Sequence, residues 1–135
     1  MAGSASSALI QNVDTNLSSY PTLSSGAYNL SNLNLSGGYF VNLNLAGASF
    51  NNANMSGGNF SGANLNGANL TDANFSNTNL SDANLTNANL TQTNLKGATG
   101  LSTAILTGVI WSKTTCPDNT TSSQDGGSCL NNLIP

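Results

Sequence analysis

From Leu30 to Leu95 every fifth residue is large and apolar, with no gap. The series runs Leu30, Leu35, Phe40, Leu45, Phe50, Met55, Phe60, Leu65, Leu70, Phe75, Leu80, Leu85, Leu90 and Leu95. Two places before each stands a small or apolar residue, most often alanine, as at Ala48, Ala53, Ala63, Ala68, Ala73, Ala83 and Ala88. Asparagine usually fills the place between. A period of five matches neither the 3.6 of a helix nor the 2.0 of a flat strand. A strict short period instead requires a coil that repeats and stacks on itself.

The remaining places of the block fit such a coil. Gly37, Gly47, Gly57, Gly62 and Gly67, with Asn32, Asn42, Asn52, Asn77 and Asn87, occupy the place just before the small residue, the last position of a block that starts at that residue. That position has to turn a corner, and glycine and asparagine tolerate the backbone angles a corner demands. After Leu95 the pattern weakens: Gly100 falls where a large residue is due and Leu101 follows it. Ile105 and Ile110 return to the original phase, so they are expected to extend the core beyond a loop or bulge near Gly100.

The segment before the repeats obeys a different rule. Ala5, Leu9, Val13, Leu17 and Tyr20 lie at helical spacing, and Pro21 would end a helix there. A solenoid needs its terminal apolar cross-sections covered, so residues 1–27 are expected to form an N-terminal cap. The alternative is a frayed tail, given the serines at Ser4, Ser6 and Ser7.

Only 5% of residues are charged, and there is no His, Glu or Arg. Two lysines, Lys96 and Lys113, offer no basic patch, which argues against nucleic-acid binding. No apolar run approaches the ~20 residues of a membrane-spanning helix, so membrane insertion is not expected. The usual general bases are almost missing, and Asp72 and Asp82 fall half a coil apart, so no catalytic residue is assigned. Cys116 and Cys129 lack the further ligands of a zinc site, and no metal or cofactor site is assigned.

An even cysteine pair near one end points to a disulfide and to an oxidising compartment; two free thiols, or a thiol activated by Lys113, are the alternatives. Met1 to Ala8 carries neither a cationic region nor an apolar stretch, so an exported form is expected to have lost its leader before this point.

The tandem blocks 62–66, 67–71 and 72–76 (Gly-Ala-Asn-Leu-Asn, Gly-Ala-Asn-Leu-Thr, Asp-Ala-Asn-Phe-Ser) resemble the pentapeptide-repeat family, whose consensus is Ala-(Asn/Asp)-Leu-X-X. The resemblance implies an all-β, right-handed quadrilateral β-solenoid over residues 28–112, with four blocks to a coil and the Leu/Phe and small positions facing inward. Residues twenty apart would then stack, so Leu30, Phe50, Leu70, Leu90 and Ile110 form one interior column and Leu45, Leu65, Leu85 and Ile105 another. Tyr28, Leu33 and Leu43 are oversized for the small position, as expected of a wider or capped first coil. Outward asparagines such as Asn34, Asn54, Asn74 and Asn94 would form hydrogen-bonded ladders along the axis.

The tail stretches 111–118 and 126–133 resemble the C-terminal segment of cyanobacterial pentapeptide-repeat proteins, where it closes the last coil and is held by a disulfide. For this chain the resemblance implies a C-terminal cap over 113–135 with a Cys116–Cys129 bond. Trp111, Leu130, Leu133 and Ile134 would cover the open end.

The resulting expectation is a non-enzymatic structural or protein-interaction module that is exported, with an unknown protein partner or self-association. The alternatives are a DNA mimic that binds DNA gyrase, which the low negative charge disfavours, adsorption to ice or polysaccharide through rows such as Ser31-Asn51-Thr71-Thr91, and end-to-end self-assembly.

Overall fold

The computed structural model describes residues 23–133, so the helical spacing read over Ala5–Tyr20 and the capping role given to Ile134 lie outside the described residues. From Asn29 to Asn79, every fifth residue forms a parallel bridge to the residue twenty positions later, as in Asn29↔Ser49, Asn54↔Asn74 and Asn79↔Thr99. Four five-residue blocks therefore make one coil, and each coil lies on the next. The bridges are single residues, because only three residues separate one turn from the next.

The block closes because each of its five N–H groups has a partner, as block 70–74 illustrates. Leu70 N donates to Asn89 O (2.8 Å) and Asp72 N to Thr91 O (3.0 Å) in the following coil. Asn74 N donates to Ala53 O (2.9 Å) in the preceding coil, and Ala73 N to Leu70 O (2.9 Å) across the turn. The fifth donor, Thr71 N, points away from both neighbouring coils and is taken by the Asn69 side-chain Oδ1 at 3.0 Å. The same side-chain bond recurs at most blocks from Asn29 to Asn94. Asparagine recurs in the block because a short carbonyl two residues upstream is what this orphan donor needs.

Those asparagines do not form the axial ladders expected of them. Among the described residues the one axial amide pair is Asn64 Nδ2 to Asn44 Oδ1, at 3.3 Å. Once Oδ1 is drawn back to the following backbone N–H, it no longer faces the next coil.

The corner residue has positive φ, for example +57° at Asn77, +60° at Asn42 and Asp72, +71° at Gly37 and +74° at Gly97. A positive φ at the third residue of a four-residue turn is the mark of a type II turn. Gln92 and Lys113 are the exceptions in residue type, Gln92 held at φ +55° and Lys113 at φ +53° without the compensation glycine or asparagine supplies. We expect Gln92→Gly to raise the unfolding free energy by about 0.5–1 kcal/mol, because the left-handed penalty for a Cβ exceeds the entropy cost of glycine. An unchanged or lower denaturation midpoint would count against this.

The interior is apolar and continuous. Leu30 through Leu95 at the fifth places, together with the small-position alanines, are buried, each large side chain contributing about 1.5–3 kcal/mol relative to exposure. Phe40 and Phe60 stack at 4.6 Å between ring centroids, and Phe75 lies 5.0 Å from Phe60 and 5.5 Å from Phe50. Gly38 and Gly58 make that stack possible, since a Cβ on Gly38 would stand 2.4 Å from the Phe40 ring. Tyr28, Leu33 and Leu43 pack partly buried against the core of the first coil. The inward threonines are satisfied internally, with Thr78 Oγ1 bonded to Phe75 O at 2.8 Å and Thr93 Oγ1 to Leu70 O at 2.7 Å.

After Gly100 the structure departs from the sequence reading. Bridge partners are twenty residues apart up to Asn79↔Thr99, but twenty-one apart at Asn84↔Ile105, Asn89↔Ile110 and Asn94↔Thr115. One extra residue has entered the turn at 101–103. Gly100 takes an inward place with no side chain, at φ +82°, and a Cβ there would meet Ser81 N at 2.4 Å. Leu101, fully buried, fills the space instead. Asp82 N, whose counterparts elsewhere bond to a backbone carbonyl of the next coil, is taken by Thr103 Oγ1 at 3.0 Å.

The extra residue moves Ile105 and Ile110 out of the core. They occupy the outward bridging place that asparagine holds in most other blocks, and are 50% and 49% exposed. Leu106, Trp111 and Cys116 succeed Leu85, Leu90 and Leu95 on the inner side, Leu106 partly buried and Trp111 and Cys116 buried. Leu130 is also not a covering residue, at 54% exposed, whereas Leu133 packs partly buried against the core.

Candidate interaction surface

No group of three or more His, Cys, Asp or Glu side chains converges among the described residues. Asp72 and Asp82 sit on separate exposed corners at φ +60° and +58°. No helix among the described residues is long and apolar enough to cross a membrane. The chemistry available to this chain therefore lies in what its faces and its last coil present.

On the faces, the asparagine carbonyl oxygens are occupied. Asn69, Asn79, Asn84 and Asn89 each accept a second bond from the hydroxyl two residues on, at 2.5–2.7 Å. Ser31 Oγ bonds Ser49 Oγ at 2.6 Å. Thr71 and Thr91 thus turn their hydroxyl hydrogens toward their own blocks and not to solvent, and the outward hydrogen-bonding capacity of the faces is mainly the asparagine Nδ2 groups, which are donors.

The tail closes one side of the last coil. Cys116 and Cys129, both buried, stand at disulfide distance, 2.06 Å between sulfurs. Cys116 N donates to Thr120 O (2.7 Å) and Ser122 N to Thr114 O (2.8 Å), and Thr115 pairs antiparallel with Thr121. Thr114 N donates to Ser122 Oγ (3.0 Å), and Ser122 Oγ in turn donates to Trp111 O. Pro117 stands where the next orphan N–H would be and carries none, so Thr115 can replace asparagine there without loss.

Asp118 braces this loop. Its Oδ1 accepts from the Thr120 hydroxyl at 2.6 Å and from Thr120 N at 3.0 Å, and its Oδ2 accepts from Asn132 Nδ2 at 2.7 Å. Chiefly through the Thr120 hydroxyl, and then the Thr120 N–H, these bonds hold the exposed carboxyl below its ordinary value of 3.8. A lowered folded pKa means that the stabilisation is complete above the unfolded value and disappears as pH falls through the folded one. Carboxyl NMR is therefore expected to find Asp118 titrating below 3.8, with faster exchange of the Thr120 amide as it protonates. Titration at or above the ordinary value would contradict the bracing.

The tail leaves the adjoining edge open. One coil earlier, Leu85 N and Asn87 N donate to Ile105 O and Thr107 O, and Leu90 N and Gln92 N to Ile110 O and Ser112 O. Leu106, Gly108, Trp111 and Lys113 hold the same places in the last coil, and among the described residues their N–H groups have no hydrogen-bond partner. Beside them lies a cleft of about 470 Å³ lined by Trp111, Ser112, Lys113, Ser122, Ser123 and Gly127. Lys113 forms no ion pair among the described residues. The sequence reading missed this edge; the series Leu101, Leu106, Trp111, Cys116, itself spaced by five, was the signal that marked the shifted phase.

The family model for pentapeptide repeats matches this chain over residues 29–67 and 68–99. Comparison with curated proteins finds no match. Among solved structures, the chain is similar to a pentapeptide repeat protein from the Arabidopsis thaliana thylakoid lumen, at 30% identity over 64% of this chain and 63% of that one, TM-score 0.38. It is similar to another from the cyanobacterium Cyanothece 51142, at 36% identity over 61% and 58%, TM-score 0.40. A third, from Nostoc Pcc 7120, is 22% identical over 72% and 76%, TM-score 0.30. The chain spans about three-fifths of the length of the first two.

Proposed function

Because this chain belongs to the pentapeptide-repeat family, we propose that it is a non-enzymatic interaction module whose faces and last coil are its working surfaces. In this reading the coils form a right-handed quadrilateral β-solenoid over residues 28–112, residues 1–27 are an N-terminal cap, and residues 113–135 are a C-terminal cap clipped by Cys116 and Cys129. The observation that carries it is the commitment of the asparagine oxygens to internal turns, which leaves neutral faces bearing amide donors at every coil. A rigid array of donors suits a partner that offers acceptors in register. The cysteine pair supports an exported protein working in an oxidising compartment.

Gyrase binding by DNA mimicry is the weaker alternative, since it needs phosphate-like charge density and the regular repeats carry only Asp72 and Asp82. A supercoiling assay with DNA gyrase is expected to show no inhibition; inhibition at micromolar concentration would reverse the ranking. Adsorption to ice or polysaccharide loses support from the inward-turned hydroxyls. The test of the leading reading is capture from the source organism with the oxidised protein as bait. A protein that binds saturably to the purified chain is the expected result, and the absence of any such binder would remove the reading.

A further inference from the structure

We infer that the edge 106–113 is a docking site for an extended peptide of another protein, which adds to the last coil as a further strand. The inference rests on the interaction-module reading and gives it a location. The edge carries the backbone N–H groups of Leu106, Gly108, Trp111 and Lys113, which have no hydrogen-bond partner among the described residues. An open strand edge of this kind is a template for an incoming strand. In every earlier coil the corresponding pair of donors bonds to carbonyls two residues apart, as Leu85 and Asn87 do with Ile105 and Thr107. An extended peptide offers carbonyls at that spacing, and the parallel bridges of the solenoid set its direction.

The neighbouring groups define the rest of the partner. The cleft at Trp111, about 470 Å³, lies beside the edge and has room for an apolar side chain. Lys113 lines the same cleft and has no acidic partner among the described residues, so a carboxylate one or two residues away in the peptide completes the pairing. Ile105 and Ile110, half exposed on the outer side, flank the edge with apolar surface where most other blocks carry asparagine. The tail pairs mainly with the adjoining side, through Cys116 N–Thr120 O and Ser122 N–Thr114 O, and reaches the edge through Ser122 Oγ, which donates to Trp111 O and leaves the N–H groups of the edge untouched. A single peptide strand needs only the remaining edge, whereas a whole coil from a second copy would also need the side that the tail already pairs with.

The test selects a phage-displayed library of random peptides on the full-length oxidised protein and maps the selected peptides by amide NMR and hydrogen exchange. The expected result is enrichment of extended sequences pairing an apolar with an acidic residue, and slowed exchange at Leu106, Gly108, Trp111 and Lys113. Lys113→Asn keeps a residue suited to the left-handed corner. It is expected to leave the melting temperature unchanged and to weaken peptide binding about tenfold. Three results would overturn the inference: no enriched peptide, a peptide that protects the asparagine faces and leaves these four amides unchanged, or protection of the four amides by self-association alone. The second leaves the interaction-module reading intact and moves its site.

Discussion

Leu65→Asp is expected to lower the unfolding free energy by about 4 kcal/mol or more, which places it in the small class of single substitutions with exceptional cost. Leu65 is fully buried, with Leu45 and Leu85 at the corresponding places of the coils on either side. Its backbone is held by Leu65 N–Asn84 O at 2.7 Å, so the side chain has no freedom to swing outward without breaking inter-coil bonds. A carboxylate there either stays ionised without a partner or takes up a proton, and both cost free energy. Each coil touches only its neighbours, so the damage should also uncouple the two halves of the stack. Asn66→Asp, one residue along and exposed, is the control and should change stability by no more than about 0.5 kcal/mol. Denaturant unfolding of both variants checks the pair. A Leu65→Asp protein that unfolds like the parent would mean that position 65 has a route to water.

Reduction of the cysteine pair is the second large effect. The two residues are 13 apart, and closing a loop of this size contributes about 3 kcal/mol in the chain-entropy model. The segment between them is rich in Asp, Asn, Thr, Ser and Gly and builds no core of its own. Its docking depends on a few backbone bonds, chiefly Cys116 N–Thr120 O and Ser122 N–Thr114 O. Intact mass without reductant should show the loss of two hydrogens. On reduction, the amides of Thr114, Cys116 and Ser122 should exchange roughly a hundredfold faster, while those of Leu65 and Leu70 change little. Two free thiols in oxidised protein, or uniform exchange along the whole stack, would refute the clip.

Much of the architecture was legible because the determinants are local and repeat. An apolar side chain every fifth place, a small residue two before it and a left-handed corner residue are each selected within one block. Fourteen consecutive repetitions make that selection unmistakable. The glycine and asparagine corners were readable for the same reason, since φ is a property of one residue.

The role of the repeated asparagine was harder to read. Its position and its outward direction follow from the period. Whether its oxygen bonds along the axis or back to the chain depends on which donor lacks a partner. Only the complete set of inter-coil bonds shows that the N–H two residues on, such as Thr71 N, is the one left over.

The sequence by itself determined the period, the inward column from Leu30 to Leu95, the corners and the family. The tertiary structure decided the phase after Gly100. Ile105 and Ile110 keep the numerical period and were read as core, yet they stand outside it, because position is set by pairing with Asn84 and Asn89 and not by counting along the chain. A single extra residue in a turn costs little locally, and in a five-residue block it exchanges an inward place for an outward one. The same shift put Trp111 and Cys116 inside, and the folded tail covered one side of the last coil and left the edge beside it open. That edge arises from the register between coils, twenty-one residues apart, together with the shorter-range docking of the tail, and the period of five alone does not encode either.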